Sequence, residues 1–194
     1  NETVSTSPTS ATIEIPSSTD TLPPTTTAPP VETNSEAPAL ITPYFIRDGQ
    51  IAAGQKRTVT GPAVGHAAVQ ELITGPGPFD AAQGLTTALA HNVTVNSVRI
   101  ADGIATIDLS RPFETANTRP QVAQVVFTLT QFESVDAVKF LIDGEPNGAT
   151  GVMAISRNDL EDVTPPIFVD SPTPGSILSS TFTVTGTANT FEAN

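Results

Sequence analysis

The sequence contains no cysteine and no tryptophan, and it has one tyrosine and two histidines in 194 residues. Without cysteine, the chain cannot form a disulfide framework, a thiolate metal site or a cysteine nucleophile. An aromatic content of 5% leaves little material for the stacking platforms of sugar-binding sites. No apolar run approaches the ~20 residues of a membrane span. The chain begins in polar sequence, so we expect that any targeting segment has been removed or was never present.

Basic residues are also scarce, with 8 Lys and Arg against 20 Asp and Glu and a formal net charge of −12. All the basic residues lie between Arg47 and Arg157, and they form no visible stripe. Nucleic acid and anionic membrane surfaces are therefore poor candidate partners. We predict no nucleic-acid partner, and membrane contact only through an anchor upstream of this chain.

Residues 1–38 are rich in Ser, Thr and Pro and contain five acids, no Lys or Arg and no aromatic residue. Such a segment cannot bury enough apolar area to offset the entropy lost on ordering. We interpret it as a disordered tether, whose ends would lie about 35 Å apart as a flexible coil. A disordered terminus without a role is the alternative.

The strongest local pattern is a β-hairpin over Val93–Ser110. Two runs rich in Val, Ile and Thr flank Asp102-Gly103, and a type I′ turn needs positive φ at both central residues. Alternate residues of the second run are apolar, so one face of the hairpin needs a cover. A second Asp-Gly hairpin is predicted around Asp48-Gly49, and a further strand over Val135–Asp143, closed by Asp143-Gly144.

Two predicted helices can supply that cover. The first is capped by Thr60, has Pro62 in its first turn and ends at about Thr74. Its apolar stripe contains Ala68, Val69, Leu72 and Ile73, with Val64 one turn earlier, while His66 and Gln70 point away.

The second predicted helix runs from about Pro120 to Phe132, with Thr118 as its N-cap. Its apolar stripe has the spacing of an amphipathic helix, and its polar residues occupy the opposite face. The stripe consists of Val122, Val125, Val126, Leu129 and Phe132, and the polar face of Gln121, Gln124, Thr128 and Gln131.

These elements predict an α+β fold in which two helices pack on one face of a mostly antiparallel sheet. We assign this domain to residues 39–158. The remainder, residues 159–194, is predicted to be a linker followed by part of a second, all-β domain.

Four motifs resemble the GerMN domain of spore-germination and sporulation proteins, which also occurs in LpqB-like envelope lipoproteins. They are AAVQELITGP (Ala67–Pro76), GLTTAL (Gly84–Leu89), DGIATIDLS (Asp102–Ser110) and FTLTQFESVDAVKFLIDGE (Phe127–Glu145). The resemblance implies a role near the cell wall. Because some GerMN-like domains resemble ring-building modules, it also implies that self-association is plausible. One departure is Ala90-His91-Asn92, where such domains usually carry a Pro or Gly turn.

Residues Pro165–Asn194 resemble the start of the immunoglobulin-like domain that often follows GerMN domains. A complete sandwich of that class needs about 100 residues, so we expect that the chain ends inside its second domain. The segment Phe182–Thr187 is then expected to be poorly ordered or paired with a neighbour, because an uncovered strand edge seeks a partner.

No group of residues predicts a catalytic, cofactor-binding or metal site, and we predict neither a cofactor nor an enzyme. His66 and His91 are interpreted as solvated side chains, because one lies on the outer face of the first helix and the other in a loop. Neither has another histidine at i+3 or i+4, the spacing of metal ligands. The acids Asp102, Asp143 and Glu145 lie in or beside turns that already explain them. A cluster that could hold Ca²⁺ lacks the required loop pattern and is interpreted as a solvated linker; it contains Asn158, Asp159, Glu161 and Asp162.

We therefore predict a non-catalytic cell-envelope interaction or assembly module near the cell wall, as part of an exported, extracellular lipoprotein. Its expected partner is an envelope protein or a second copy of the chain. The alternative is a module that binds peptidoglycan or glycan fragments in a groove around Phe79–Asn92.

Overall fold

The computed structural model describes residues 38–61, 63–115, 118–146 and 153–188. The predicted tether lies outside the described residues, apart from Pro38, and so does Pro62. Within the described ranges, no helix is long and apolar enough to cross a membrane. In chain order, the elements are β1 (Ala39–Ile41), β2 (Tyr44–Arg47), β3 (Gln50–Ala53), β4 (Arg57–Val59), α1 (Val64–Thr74), α2 (Pro78–Ala82), β5 (Val95–Ala101), β6 (Ile104–Leu109), a 3-10 helix (Arg111–Thr115), α3 (Thr118–Leu129), β7 (Ala137–Ile142), β8 (Glu145–Pro146), a second 3-10 helix (Arg157–Val163), β9 (Ile167–Ser171) and β10 (Thr185–Ala188).

The main sheet has four strands in the order β5-β6-β7-β8. β5 pairs antiparallel with β6 and β7 antiparallel with β8, whereas β6 and β7 are parallel and joined through α3. Alternate residues of β6 and β7 are buried under α1 and α3, which accounts for their period-two pattern. The structure thus confirms the α+β fold with two helices on one face of a mostly antiparallel sheet. The buried residues are Ala105, Ile107, Leu109, Val138, Phe140 and Ile142.

The three Asp-Gly pairs all form the turns that the sequence predicts. At each pair both residues have positive φ, from 50° to 53° for the aspartates and from 77° to 86° for the glycines. This conformation is tolerated by Asp and is free of strain in Gly, so it matches the twist of the flanking strands. The turns are Asp48-Gly49, Asp102-Gly103 and Asp143-Gly144.

The helix boundaries differ from the prediction at three ends. α1 begins at Val64 and not at Thr60, because Gly61 has a φ of +134° and turns the chain before the helix. Its N-cap makes no side-chain hydrogen bond. α3 begins at Thr118 and ends at Leu129, after which the N–H of Phe132 donates to the carbonyl of Leu129 in a tighter turn.

The polar face of α3 is buried. The sequence pattern places its residues opposite the apolar stripe, but that side of the helix is not exposed to solvent. Gln121, Gln124 and Thr128 are all fully buried. The reason is that β2 and β3 form a separate hairpin, outside the main sheet, and pack against this face of α3. The helix therefore lies between two layers of strands, one contacted by its apolar face and one by its polar face.

The polar face of α3 and Gln131, two residues beyond its end, close the free edge of β2. The backbone N–H of Thr42 donates to Gln131 Oε1, and the Gln131 Nε2 donates back to the Thr42 carbonyl. The N–H of Tyr44 donates to Thr128 Oγ1, and its carbonyl accepts from Gln124 Nε2. Side chains of a helix thus replace a neighbouring strand, which satisfies backbone groups that would otherwise be buried without partners.

The residues predicted as a linker after Asn158 are packed against the domain. Ser156 and Asp159 form a capping box at the start of the 3-10 helix Arg157–Val163. Leu160 and Val163 are buried in the same core as the main sheet. The segment differs from a solvated linker because these two apolar side chains anchor it, although its acidic side chains are exposed.

β9 is attached to the domain by an aromatic and ionic cluster. Phe168 lies against Tyr44 and Phe127, with ring centroids 6.0 and 5.3 Å away. The Arg157 guanidinium lies over the rings of Tyr44 and Phe127, and it donates a 3.0 Å hydrogen bond to Asp170 Oδ1. The Tyr44 hydroxyl also donates to Asp170. We call these five residues the Tyr44 cluster.

The segment Phe182–Thr187 is partly a strand with a partner in the same chain. β10 pairs antiparallel with β9, whereas Phe182 and Val184 lie outside the strand and expose more than half of their surface. The pairing that we expected for this segment is thus made with β9 of the same chain. The immunoglobulin-like interpretation of this region stays a prediction.

Replacing Gln124 tests the closure of the β2 edge. Gln124→Leu would leave the Ala88 N–H and the Tyr44 carbonyl without their buried partners. We expect the free energy of unfolding, measured with urea, to fall by about 2–4 kcal/mol. Gln121→Leu is the matched control, because Gln121 is equally buried but makes a single hydrogen bond, from Nε2 to the Ala88 carbonyl, and its Oε1 has no partner among the described residues. It should cost about 1–2 kcal/mol, and equal losses in the two variants would contradict the role assigned to Gln124.

The Tyr44 cluster predicts a shifted titration. Burial raises the pKa of the Tyr44 hydroxyl from 10.0 to about 12, with Asp170 adding to the rise and Arg157 opposing it. Because the folded-state pKa lies above the unfolded one, this contribution to stability is complete below about pH 10 and is lost as the pH rises towards 12. Tyr44 is the one tyrosine in a chain without tryptophan, so the ultraviolet absorbance of tyrosinate reports this group alone.

The folded protein should titrate near 12, and the urea-unfolded chain near 10. Phe168→Ala, which exposes the ring to water, should move the folded midpoint down. A wild-type midpoint near the ordinary value in the folded state would show that Tyr44 is not buried by β9.

Candidate interaction surface

One face of the main sheet is covered by helices, and the other carries the candidate surface. We call this second side the open face. The pairing register places its residues in three rows across β5, β6 and β7. The first row is apolar, the second has a cation at each end, and the third is mixed. The rows are Ala101, Ile104 and Ala137; Arg99, Thr106 and Lys139; and Ser97, Asp108 and Leu141.

The open face combines charges of both signs with exposed apolar surface. Ile104 is 38% exposed, and a shallow depression of about 610 Å³ runs over the three rows and Asp102. Arg99 and Lys139 have no ion pair within the part of the chain that the structure describes. Asp108 accepts a hydrogen bond from the Gly144 N–H. Such a surface suits a protein partner better than a small molecule, because it is broad and shallow.

The outer edge of β5 borders the open face. In a two-residue hairpin Ala101 and Ile104 form a hydrogen-bonded pair, and every second pair along the ladder does the same. The N–H and C=O groups of Val98 and Ile100 therefore point away from β6. Across the described residues these groups have no hydrogen bond.

Both histidines have ordinary surroundings. His66 is half-buried on α1. His91 is exposed in a loop, and its Nδ1 lies 3.1 Å from the Ile73 carbonyl at the end of α1. This contact satisfies a carbonyl that has no partner within the helix. Among the described residues, neither histidine is hydrogen-bonded to a hydroxyl or carboxylate side chain.

The acidic residues near Asn158 serve the local structure. Hydrogen bonds from the Ser156 side chain and backbone hold the pKa of Asp159 below its usual range. The bond from the Arg119 guanidinium does the same for the pKa of Asp162 and raises that of Arg119. In the described ranges, no group of three or more His, Asp or Glu side chains is placed to hold a metal ion.

Asp102 lies far from the acids of the Asp143-Gly144 turn. Asp102 precedes β6, whereas Asp143 follows β7, and these strands are parallel and in register. The two turns therefore lie at opposite ends of the sheet, roughly 20 Å apart at 3.3 Å per residue. Asp143 lies 3.5 Å from Arg111, and Glu145 is exposed in β8. Asp102 therefore does not form the close carboxylate pair that glycoside hydrolysis needs with either of them.

The segment Phe79–Asn92, predicted as a ligand groove in the alternative interpretation, is in large part used for packing. Thr86 bridges to Ile46, and the Ala88 N–H donates to Gln124. α2 adds a buried ion pair that the sequence did not indicate: Asp80 accepts from Arg57 and from the Gln55 N–H.

Sequence reasoning missed the open face as a site and the Tyr44 cluster. The alternation of β6 shows that one face is polar, but it does not show whether a second layer covers that face. The Tyr44 cluster joins residues more than 100 positions apart, so no local pattern could have indicated it.

The comparisons with known proteins agree with this architecture. A family model described as "Germane: Sporulation and spore germination" matches residues 42–148. The tandem GerMN domains of the sporulation protein GerM from Bacillus subtilis are 28% identical, with a TM-score of 0.52; the likeness covers 63% of this chain and 48% of that one. The first GerMN domain of that protein is also 28% identical, with a TM-score of 0.49, over 63% of this chain and 99% of that one. No curated protein matches.

The chain thus spans about half the length of the tandem structure that it resembles. The family model covers more than half of this chain and includes both hairpins, α1, α3 and the main sheet. This match confirms the GerMN resemblance, and the chain belongs to the Germane family, described by sporulation and spore germination.

Proposed function

We propose that the chain is a non-catalytic interaction or assembly module of the bacterial cell envelope, and that it binds a protein through the open face. The single observation that carries this proposal is the uncovered side of a sheet whose other side, on β6 and β7, is packed against the core. The open face has unpaired cations, an acid and exposed apolar side chains in adjoining rows. Mixed surfaces of this kind give both the apolar contact and the charge complementarity of protein interfaces.

The proposed location is outside the cytoplasmic membrane, where residues 1–38 act as a spacer below a lipid anchor upstream of Asn1. The composition of the spacer and the likeness to the sporulation protein GerM support this location. A non-catalytic role is supported by the geometry of the titratable groups. His91 contacts the Ile73 carbonyl, Asp143 lies beside Arg111, and Asp102 and Asp143 have the positive φ of their turns, so each of these groups has a structural role.

Site-specific photo-crosslinking in living cells tests the proposal. A benzoylphenylalanine in place of Thr106 or Leu141 should give discrete adducts in the envelope fraction, because both positions lie on the open face. The same residue in place of Gln70, which is exposed on α1, is the matched control and should give none. Light scattering of the full chain over a hundredfold range of concentration then separates a second copy from a different protein.

Two results would overturn the proposal. Cosedimentation of the chain with purified peptidoglycan, without open-face adducts, would favour the alternative of a wall-binding module. Equal adducts from Gln70 and Thr106 would show that the contacts do not depend on the open face.

A further inference from the structure

The outer backbone groups of β2 are hydrogen-bonded, whereas those of β5 are not, among the described residues. Thr42, Tyr44 and Ile46 each exchange hydrogen bonds across the outer edge of β2, with α3 side chains or with Thr86. The outer groups of Val98 and Ile100 have no such partner among the described residues. Ile100 is 42% exposed, so the edge is accessible. Natural sheets usually protect such an edge with proline, lysine or a cover.

We propose that the β5 edge binds an extended segment of a partner protein as an additional antiparallel strand, with a carboxylate of that segment opposite Arg99. The inference rests on the proposed function, since it specifies how the interaction module recognises its partner. Backbone hydrogen bonds from Val98 and Ile100 supply the affinity, and side chains on the two faces supply the specificity.

The register defines the partner strand. Residues opposite Val98 and Ile100 lie on the helix side, where Val98 packs against the core and Ile100 is exposed beyond it. β-branched apolar residues fit there. Between them, one residue faces Arg99 on the open face in a non-hydrogen-bonded pair, in which side chains are closest. Arg99 has no ion pair among the described residues. An Asp or Glu of the partner strand opposite Arg99 would therefore pair with its guanidinium.

A second copy of the chain fits this edge less well. If two β5 strands paired antiparallel through Val98 and Ile100, the two-fold axis would place Arg99 directly opposite itself. Like charges in that position destabilise a strand pair. The charges therefore favour an acidic strand from another protein.

Binding of a fluorescent peptide to the full chain tests the inference. The probe is acetyl-SVIEVTS-amide, and the matched probe is acetyl-SVIKVTS-amide. We expect saturable anisotropy binding of the acidic peptide below about 1 mM, and binding about fivefold weaker for the lysine peptide. Hydrogen exchange by NMR should slow at the Val98 and Ile100 amides, whereas the Arg99 amide, already bonded within the sheet, should not change.

Two controls separate strand addition from general charge attraction. Arg99→Glu should reverse the preference between the peptides, whereas Arg47→Glu, the same change at another exposed arginine without an ion pair, should leave it unchanged. N-methylation of the peptide nitrogens that face β5 should abolish binding without changing the protein.

Equal binding of the two peptides, no binding, or dimerisation of the chain through β5 would each overturn the inference. Open-face adducts at Thr106 would still be expected if only the edge inference failed. Loss of those adducts would instead remove the proposed function itself.

Discussion

The rest of the structure depends on how the polar face of α3 satisfies the backbone of β2. Gln131, Thr128 and Gln124 take the place of a neighbouring strand and bond Thr42 and Tyr44. A buried strand edge without these partners would cost more than its apolar contacts return. Because the bonds are made, α3 can be buried on two sides, against the main sheet and against hairpin β2–β3. The larger of the two clusters of buried apolar residues follows from this arrangement.

The position of hairpin β2–β3 in turn fixes the C-terminal segment. Tyr44 is the second strand's first residue and also the centre of the cluster that holds Phe168 and Asp170. Tyr44 thus contacts both α3, through its backbone, and β9, through its side chain. Burial on all these sides explains why its pKa rises. In β9, Phe168 is buried against the domain. Ile167 and Val169, the exposed apolar residues, lie on the other side of the strand.

The packed side of the domain and the open face differ in how their polar groups are used. On the packed side, α1, α3 and the β2–β3 hairpin share apolar contacts, and polar side chains of α3 form hydrogen bonds with the hairpin backbone. On the other side, the open face and the β5 edge keep Arg99, Lys139 and two backbone positions without partners in the described chain. These groups are the ones to which the proposed interaction is assigned.

By itself, the sequence determined the local elements: three Asp-Gly turns, the alternation of β6 and β7 and the apolar stripe of α3. These features depend on neighbours a few residues apart, so periodicity and turn chemistry reveal them. The motifs within residues 42–148 were sufficient to indicate the family. Only the tertiary structure decided that the polar face of α3 is buried, that residues after Asn158 pack against the core, and that one sheet face and one edge stay open. Each of these depends on which surfaces meet across long separations in sequence, and a local pattern of polar and apolar residues is the same whether a polar side chain bonds to water or to a distant backbone group.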